Sequence, residues 1–233
     1  MNIGRMGEKM EVKLINYSPE PDRTCAVAAL GCHSPKTSGD LIKELTEKKI
    51  TRVLRETMKR GHLSVVEHAS FTFSVSGISR ALTHQLVRHR IASYSQQSQR
   101  YVKLDSPTFV TPPIVEKDKG TLDEYNEFMK YAWETYGSLL KKGVPAEDAR
   151  FVLPNATNTS ITITMNAREL LHFFELRCCM RAQWEIRQMA WIMLEEVKKV
   201  APIIFENAGP PCDNCPEPEF PCEVRNNAKT GKR

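Results

Sequence analysis

Several absences narrow the reading of this chain. No apolar run approaches the length of a membrane span, and the opening MNIGRMGEKMEVKLINY has no hydrophobic signal region. No membrane association is expected, and the expected location is cytoplasmic. No Gly-x-Gly occurs, which excludes the usual dinucleotide fingerprint, and no phosphate-binding P-loop sequence is present. There is no internal repeat, no alternating strand and helix rhythm and no Gly/Ser linker, so the 233 residues read as one domain around one substantial core. The net charge of +5 comes from 33 basic and 28 acidic residues spread through the chain. That suits small anionic ligands and is too dilute to argue for duplex nucleic acid.

Seven cysteines, an odd number without an export signal, argue against a disulfide framework. Cys178 and Cys179 are adjacent, point in different directions and are expected to fill helix-packing space. Cys212-x-x-Cys215 followed by Cys222 has zinc-knuckle spacing, yet no histidine follows His172, so a fourth ligand would have to come from Cys178, Cys179 or another subunit. Metal is not expected, and loosely packed thiols are the favoured state. Cys32 beside His33 could suggest a nucleophile, but neighbours in sequence seldom face each other, and Cys32 is expected to be a buried small residue at a helix end.

The densest chemistry lies in QLVRHRIASYSQQSQR (85–100), where Arg88, His89, Arg90 and Arg100 share a stretch with Ser93, Ser95 and Ser98 and with no acidic residue. Arginines offer rigid forked donors suited to phosphate and carboxylate oxygens, so the stretch reads as an anion site. An isolated arginine is usually a surface ion pair; Arg88, Arg90, Arg100, Arg150, Arg168 and Arg177 together would need several acidic partners.

Coarse periodicity predicts strands at 11–17, 70–76 and 160–166 and an edge strand with a loop over 106–117. It predicts helices at 24–30, 40–61, 76–88, from a Thr121 cap to 143, at 144–153 with Pro145 in the first turn, at 166–179 and at 183–205. The last is apolar enough to suggest burial against a partner subunit. After Arg90 the polar SYSQQSQ reads as a turn presenting hydroxyls and amides. Ser64-Val-Val-Glu67 reads as a capping box, and Asn166 with Glu169 as a cap pair. Arg168 and His172 are four apart and share a helix face, whereas Arg177, nine beyond Arg168, faces elsewhere.

Arg88-His89-Arg90, seven residues and then Ser98 resembles the signature of the flavin-dependent thymidylate synthases. The similarity continues in GHLSVVEHASFTF (61–73), VPAEDARFVLP (144–154), MNARELLHFFELR (165–177) and AQWEIRQMA (182–190), and spans roughly Cys25 to Phe205. The resemblance implies an α+β fold, a small mixed or antiparallel sheet flanked by long helices, assembled as a homotetramer with active sites shared between subunits. The polar residues before Met10 read as a disordered extension over 1–9, with Met1, Met6 and Met10 as alternative starts; a catalytic domain like that of the family is expected over 10–208, and the prolines of GPPCDNCPEPEFPCE leave 209–233 as a Pro/Cys-rich tail without regular structure.

For function the resemblance implies reductive methylation of dUMP to dTMP, with 5,10-methylenetetrahydrofolate as carbon donor and FAD reduced by NADPH. The dUMP positions are Gln85, Leu86, Val87, Arg88, Gln96, Gln97, Ser98, Gln99, Arg100, Arg150 and Arg177. The FAD positions are His62, Ser64, Glu67, Arg88, His89, Arg90, Gln96, Asn166, Ala167, Arg168 and His172. Two departures stand out: His172 where some members have Asn, and Arg181 where some have His. Arg177 is expected to act catalytically, as a cation at the N3–C4=O edge of the pyrimidine. Two other readings are a single-strand-binding module stacking bases on Tyr94 and Tyr101 and a zinc-stabilised structural protein. The first predicts salt-sensitive oligonucleotide binding and a colourless protein, the second stoichiometric zinc and loss of fold with chelator, and the enzyme a yellow preparation.

Overall fold

In a computed structural model the chain is described over residues 9–104, 108–217, 219 and 222. Most of the expected N-terminal extension and the end of the tail lie outside those residues. A four-stranded antiparallel sheet runs in the order β1-β2-β4-β3, with β1 at Glu11–Tyr17, β2 at Ser70–Ser79, β3 at Ala92–Gln96 and β4 at Asn158–Asn166.

β2 forms because SFTFSVS alternates, burying Phe71, Phe73 and Val75 completely. Gly77 ends that alternation at φ 67, a conformation open to glycine, and Ile78 and Ser79 beyond it are both buried. Among the described residues two compact units share this chain without a contiguous boundary: those up to Glu11, those of Val75–Arg88 and those of Tyr94–Thr162 form one, and Val12–Ser74, His89–Ser93 and the described residues from Ile163 form the other.

The first unit holds α4 (Arg80–Leu86), α5 (Pro113–Glu116), α6 (Lys119–Lys141), α7 (Ala146–Ala149) and a 3-10 helix at Arg150–Val152. Leu82, Leu86, Met129 and Tyr136 lie in its interior. The second holds α1 (Pro21–Gly31), α2 (Ser38–Glu44), α3 (Glu47–Lys59), a 3-10 helix at Leu63–His68, α8 (Ala167–Arg177) and α9 (Trp184–Val200). Its core is aromatic: Phe205 meets Phe71 and Phe174 edge-on at 5.4 and 5.9 Å between centroids.

Several expectations need correction. The helix expected over 40–61 is two, because Leu45 is extended and Thr46 restarts the chain, its side chain accepting from the Lys49 N–H. α6 is capped by Asp118 rather than Thr121, with the Asp118 carboxylate accepting from both the N–H and the hydroxyl of Thr121. The strand expected over 106–117 reduces, among the described residues, to one bridge between Phe109 and Thr157 and the short α5. β3 was missed because ASYSQ is polar, which suits its place at the sheet edge. The apolar face of α9, with Ile186, Met189, Met193 and Val197, is covered within this chain, and Trp191 remains 43% exposed. Cys32, expected to be buried, is exposed at the α1 C-cap.

Candidate functional site

In the first unit Ser79 caps α4, accepting from the Leu82 N–H at 3.0 Å, and so fixes where the helix delivers Gln85 and Arg88. Leu86 is buried, and its carbonyl accepts from the Tyr94 hydroxyl, so only its backbone can face a ligand. Val87 and Arg88 are exposed. The Gln96 amide donates to the hydroxyls of Thr83 and Thr159 at 3.3 and 3.2 Å, anchoring the end of β3. The Gln97 N–H donates to the Ser160 carbonyl, and the Gln97 carbonyl accepts from Arg80 at 2.8 Å. Ser98 Oγ accepts from the Arg100 N–H at 3.1 Å, tightening the turn that carries Gln99.

Three guanidiniums gather around this turn. Arg100 Nε donates to the Glu147 carboxylate at 2.5 Å, and Arg150 Nε donates to the Glu147 carbonyl at 3.0 Å. Arg80 is part-buried, and its Nε is buried without a hydrogen-bond partner among the described residues. Burial, and then the charge of Arg150, push the Arg80 pKa down. The structure brings Arg100 and Arg150 together and adds Arg80 and Glu147, which the sequence reading did not single out. Their signal was weak, since an arginine and a glutamate far apart in the chain carry no local pattern.

The second unit contains a cleft of about 1050 Å³. Arg55, Met58 and Lys59 of α3, Glu67 of the 3-10 helix and Asn166, Arg168 and His172 at the start of α8 line it. Leu63, Ile91, Leu171, Ile203 and Ile204 supply an apolar wall, and residues 206–211 close one side. Asn166 caps α8, its side-chain oxygen accepting from the Glu169 N–H at 2.9 Å, and the Ala167 N–H donates to the Ala69 carbonyl. Arg168 pairs with Glu67, and Arg55 pairs with Glu206 through two short contacts, the nearer at 2.7 Å. Asp22 accepts from the N–H groups of Ile203 and Ile204 at 3.0 and 3.1 Å, holding the wall in place.

Of the expected flavin positions, Glu67, Asn166, Arg168 and His172 line this cleft. His62 and Ser64 sit beside it in sequence, both exposed. The expected capping box does not form: the turn is 3-10 and has no side-chain cap bond, so Glu67 is available to Arg168. Arg90 is exposed, while His89 is only 4% exposed. His89 Nε2 accepts from Arg177 Nε at 2.9 Å, and His89 Nδ1 lies 3.4 Å from Glu169 Oε1. The wall from Arg55 to Lys59 and from Ile203 to Pro211 was not anticipated; the sequence places Gly209-Pro210-Pro211 only in the Pro/Cys-rich tail.

The cleft fits a flavin dinucleotide in size and chemistry. It has apolar walls for a planar ring and the cations Arg55, Lys59 and Arg168 for phosphate, Arg55 and Arg168 being paired with Glu206 and Glu67, and Glu169 and Glu175 also line it. Among the described residues no group of three His, Cys, Asp or Glu side chains is arranged to hold a metal ion, and Cys215 and Cys222 are free thiols. Arg181 pairs with Glu217. No helix is long and apolar enough to cross a membrane.

Residues 13–203 match the family model described as "Thymidylate synthase complementing protein". The flavin-dependent thymidylate synthase of Geobacter sulfurreducens is 51% identical, covering 91% of this chain and 94% of that protein. The flavin-dependent thymidylate synthase of Clostridium tetani is 48% identical, covering 91% and 93%. Among solved structures, a UMP/dUMP methylase, PolB, from Streptomyces cacaoi bound with 5-Br dUMP superposes with a TM-score of 0.77 at 25% identity, covering 87% of this chain and 95% of that one.

Proposed function

Since the chain belongs to the flavin-dependent thymidylate synthase family, we propose that it methylates dUMP to dTMP, taking the carbon from 5,10-methylenetetrahydrofolate and the reducing equivalents from NADPH through FAD. The observation that carries the nucleotide assignment is the gathering of Arg80, Arg100 and Arg150 around the Gln97–Ser98 turn with a single carboxylate, Glu147, among them. Guanidiniums held together with too little negative charge are matched by the phosphate of a mononucleotide. Gln85, Arg88, Gln96, Gln99 and the backbone of Leu86 and Val87 complete the dUMP set on this reading.

FAD is assigned to the cleft at the start of α8, with Arg168, His172, Asn166 and Glu67 holding it and Arg88, Arg90, His62 and Ser64 completing the set. Bound flavin supplies the hydride chemistry. The chain supplies position and charge. Arg177 stabilises the negative charge that develops on the pyrimidine when C5 reacts, through donors at the N3–C4=O edge.

A homotetramer with shared active sites completes the proposal. Its support is that Val87, Ile91, Tyr101 and Phe151, each adjacent to one of the ligand arginines, are exposed by 47, 67, 76 and 82%. Large apolar side chains beside charged ligand groups suit a surface that another copy covers.

The test is a purified sample supplied with dUMP, NADPH and 5,10-methylenetetrahydrofolate. A yellow protein that forms dTMP is expected. A colourless protein that forms no dTMP after FAD is added would overturn the reading.

A further inference from the structure

Glu147 holds two arginines with two different groups. Its side-chain carboxylate accepts from Arg100 Nε at 2.5 Å, and its backbone carbonyl accepts from Arg150 Nε at 3.0 Å. The local chain arranges this: α7 is a single turn after Pro145, and the 3-10 turn that opens with Arg150 follows it directly, so the Arg150 side chain folds back on a carbonyl three residues earlier. Arg80 reaches the same region, donating to the Gln97 carbonyl at 2.8 Å.

The two contacts respond differently to an anion. The Arg150 bond to a carbonyl aims that guanidinium without neutralising it. The Arg100 pair sets charge against charge, with the two side chains 54 and 44% exposed. Pairs so open to water are weak, and an arriving phosphate replaces the carboxylate at small cost. Replacement does not carry Glu147 away, because Ala146 and Ala149 of the same turn are buried and fix its backbone. Its charge therefore stays beside whatever Arg100 binds.

Three guanidiniums against one carboxylate leave an excess of two positive charges, close to the charge of a phosphate monoester near neutrality. A second or third phosphate adds negative charge to a group already in balance and sets it near a carboxylate. Repulsion of that kind discriminates between ligands that the attractive contacts would accept equally.

We infer that Glu147 is a specificity-determining residue: it occupies Arg100 until a nucleotide arrives, and its charge then selects a nucleoside monophosphate over the di- and triphosphate of the same nucleoside. This rests on the proposed assignment of the Gln97–Ser98 turn to the dUMP phosphate. Glu147 acts on which nucleotide is admitted and takes no part in the methyl transfer.

Titration calorimetry of the purified holoenzyme with dUMP, dUDP and dUTP, in magnesium-free buffer at pH 7.5, tests it. The wild type should bind dUMP most tightly. Glu147→Gln keeps the length of the side chain and the carbonyl that holds Arg150, and removes only the charge. It should tighten dUMP by about two- to fivefold, the strength of an exposed ion pair, and dUTP on the order of tenfold or more, since a like-charge contact is relieved as well. Glu147→Asp keeps the charge and should keep the wild-type ratio of dUTP to dUMP dissociation constants. A role in folding alone would shift all three nucleotides alike. A ratio that is unchanged in the Gln variant, or changed equally in Gln and Asp, would overturn the inference, as would a wild type that binds dUTP as tightly as dUMP. A wild type that binds none of the three would instead overturn the assignment of this turn to the dUMP phosphate.

Discussion

Arg150 lies close enough to Arg80 for its charge to depress the Arg80 pKa, and neither guanidinium is bonded to a carboxylate among the described residues. Like charges held together disfavour the unliganded state and favour the anion that relieves them.

Arg80→Met should therefore raise the KM for dUMP by about 10- to 100-fold, the range of a charged hydrogen bond worth about 1.5–3 kcal/mol. It should also shrink the rise in thermal midpoint that dUMP gives the wild type. Thermal melts with and without dUMP check both; an unchanged dUMP-induced shift would remove Arg80 from the site.

His89 makes acid stability diagnostic. Its pKa is lowered to about 4, so between about pH 6.5 and 4 the unfolded chain binds a proton that the folded chain refuses. This contribution is fully present above pH 6.5 and is lost as pH falls toward 4. Glu169, raised by burial, works with the opposite sign, contributing stability that is lost as pH rises through its folded value. Melting midpoints from pH 7.5 to 4.5 should fall more steeply in the wild type than in His89→Gln, and parallel curves would contradict the assignment.

Burial pushes the thiols of Cys25 and Cys178 up to about 12, so neither is a thiolate near neutrality. Aromatic disulfide reagents at pH 8 should label Cys32 in the native protein and reach Cys25 and Cys178 only after denaturation. Cys32→Ser should keep turnover within about twofold. A large loss would bring back a cysteine nucleophile.

Legibility in the sequence followed the range of the interaction. Short-range signals translated well: the alternation of Phe71, Phe73 and Val75 gave β2, and Asn166 capped α8 as its spacing with Glu169 implied. Signals that compete locally did not. A continuous apolar stripe hid the break at Thr46, and Ser64-Val-Val-Glu67 looked like a cap where Glu67 instead reaches Arg168. Long-range pairs were invisible, because Glu147 finds Arg100 from 47 positions away and Arg177 finds His89 from 88. No periodicity records such meetings; they depend on how the strands of the sheet are ordered.

The account as a whole depends on Arg177 acting on the reaction rather than on binding. Arg177→Ala, assayed for dTMP formation with bound flavin and dUMP affinity measured on the same sample, should lose turnover by about 10²- to 10³-fold while keeping its flavin and its nucleotide. Loss of flavin in step with turnover, or turnover at the wild-type rate, would contradict it.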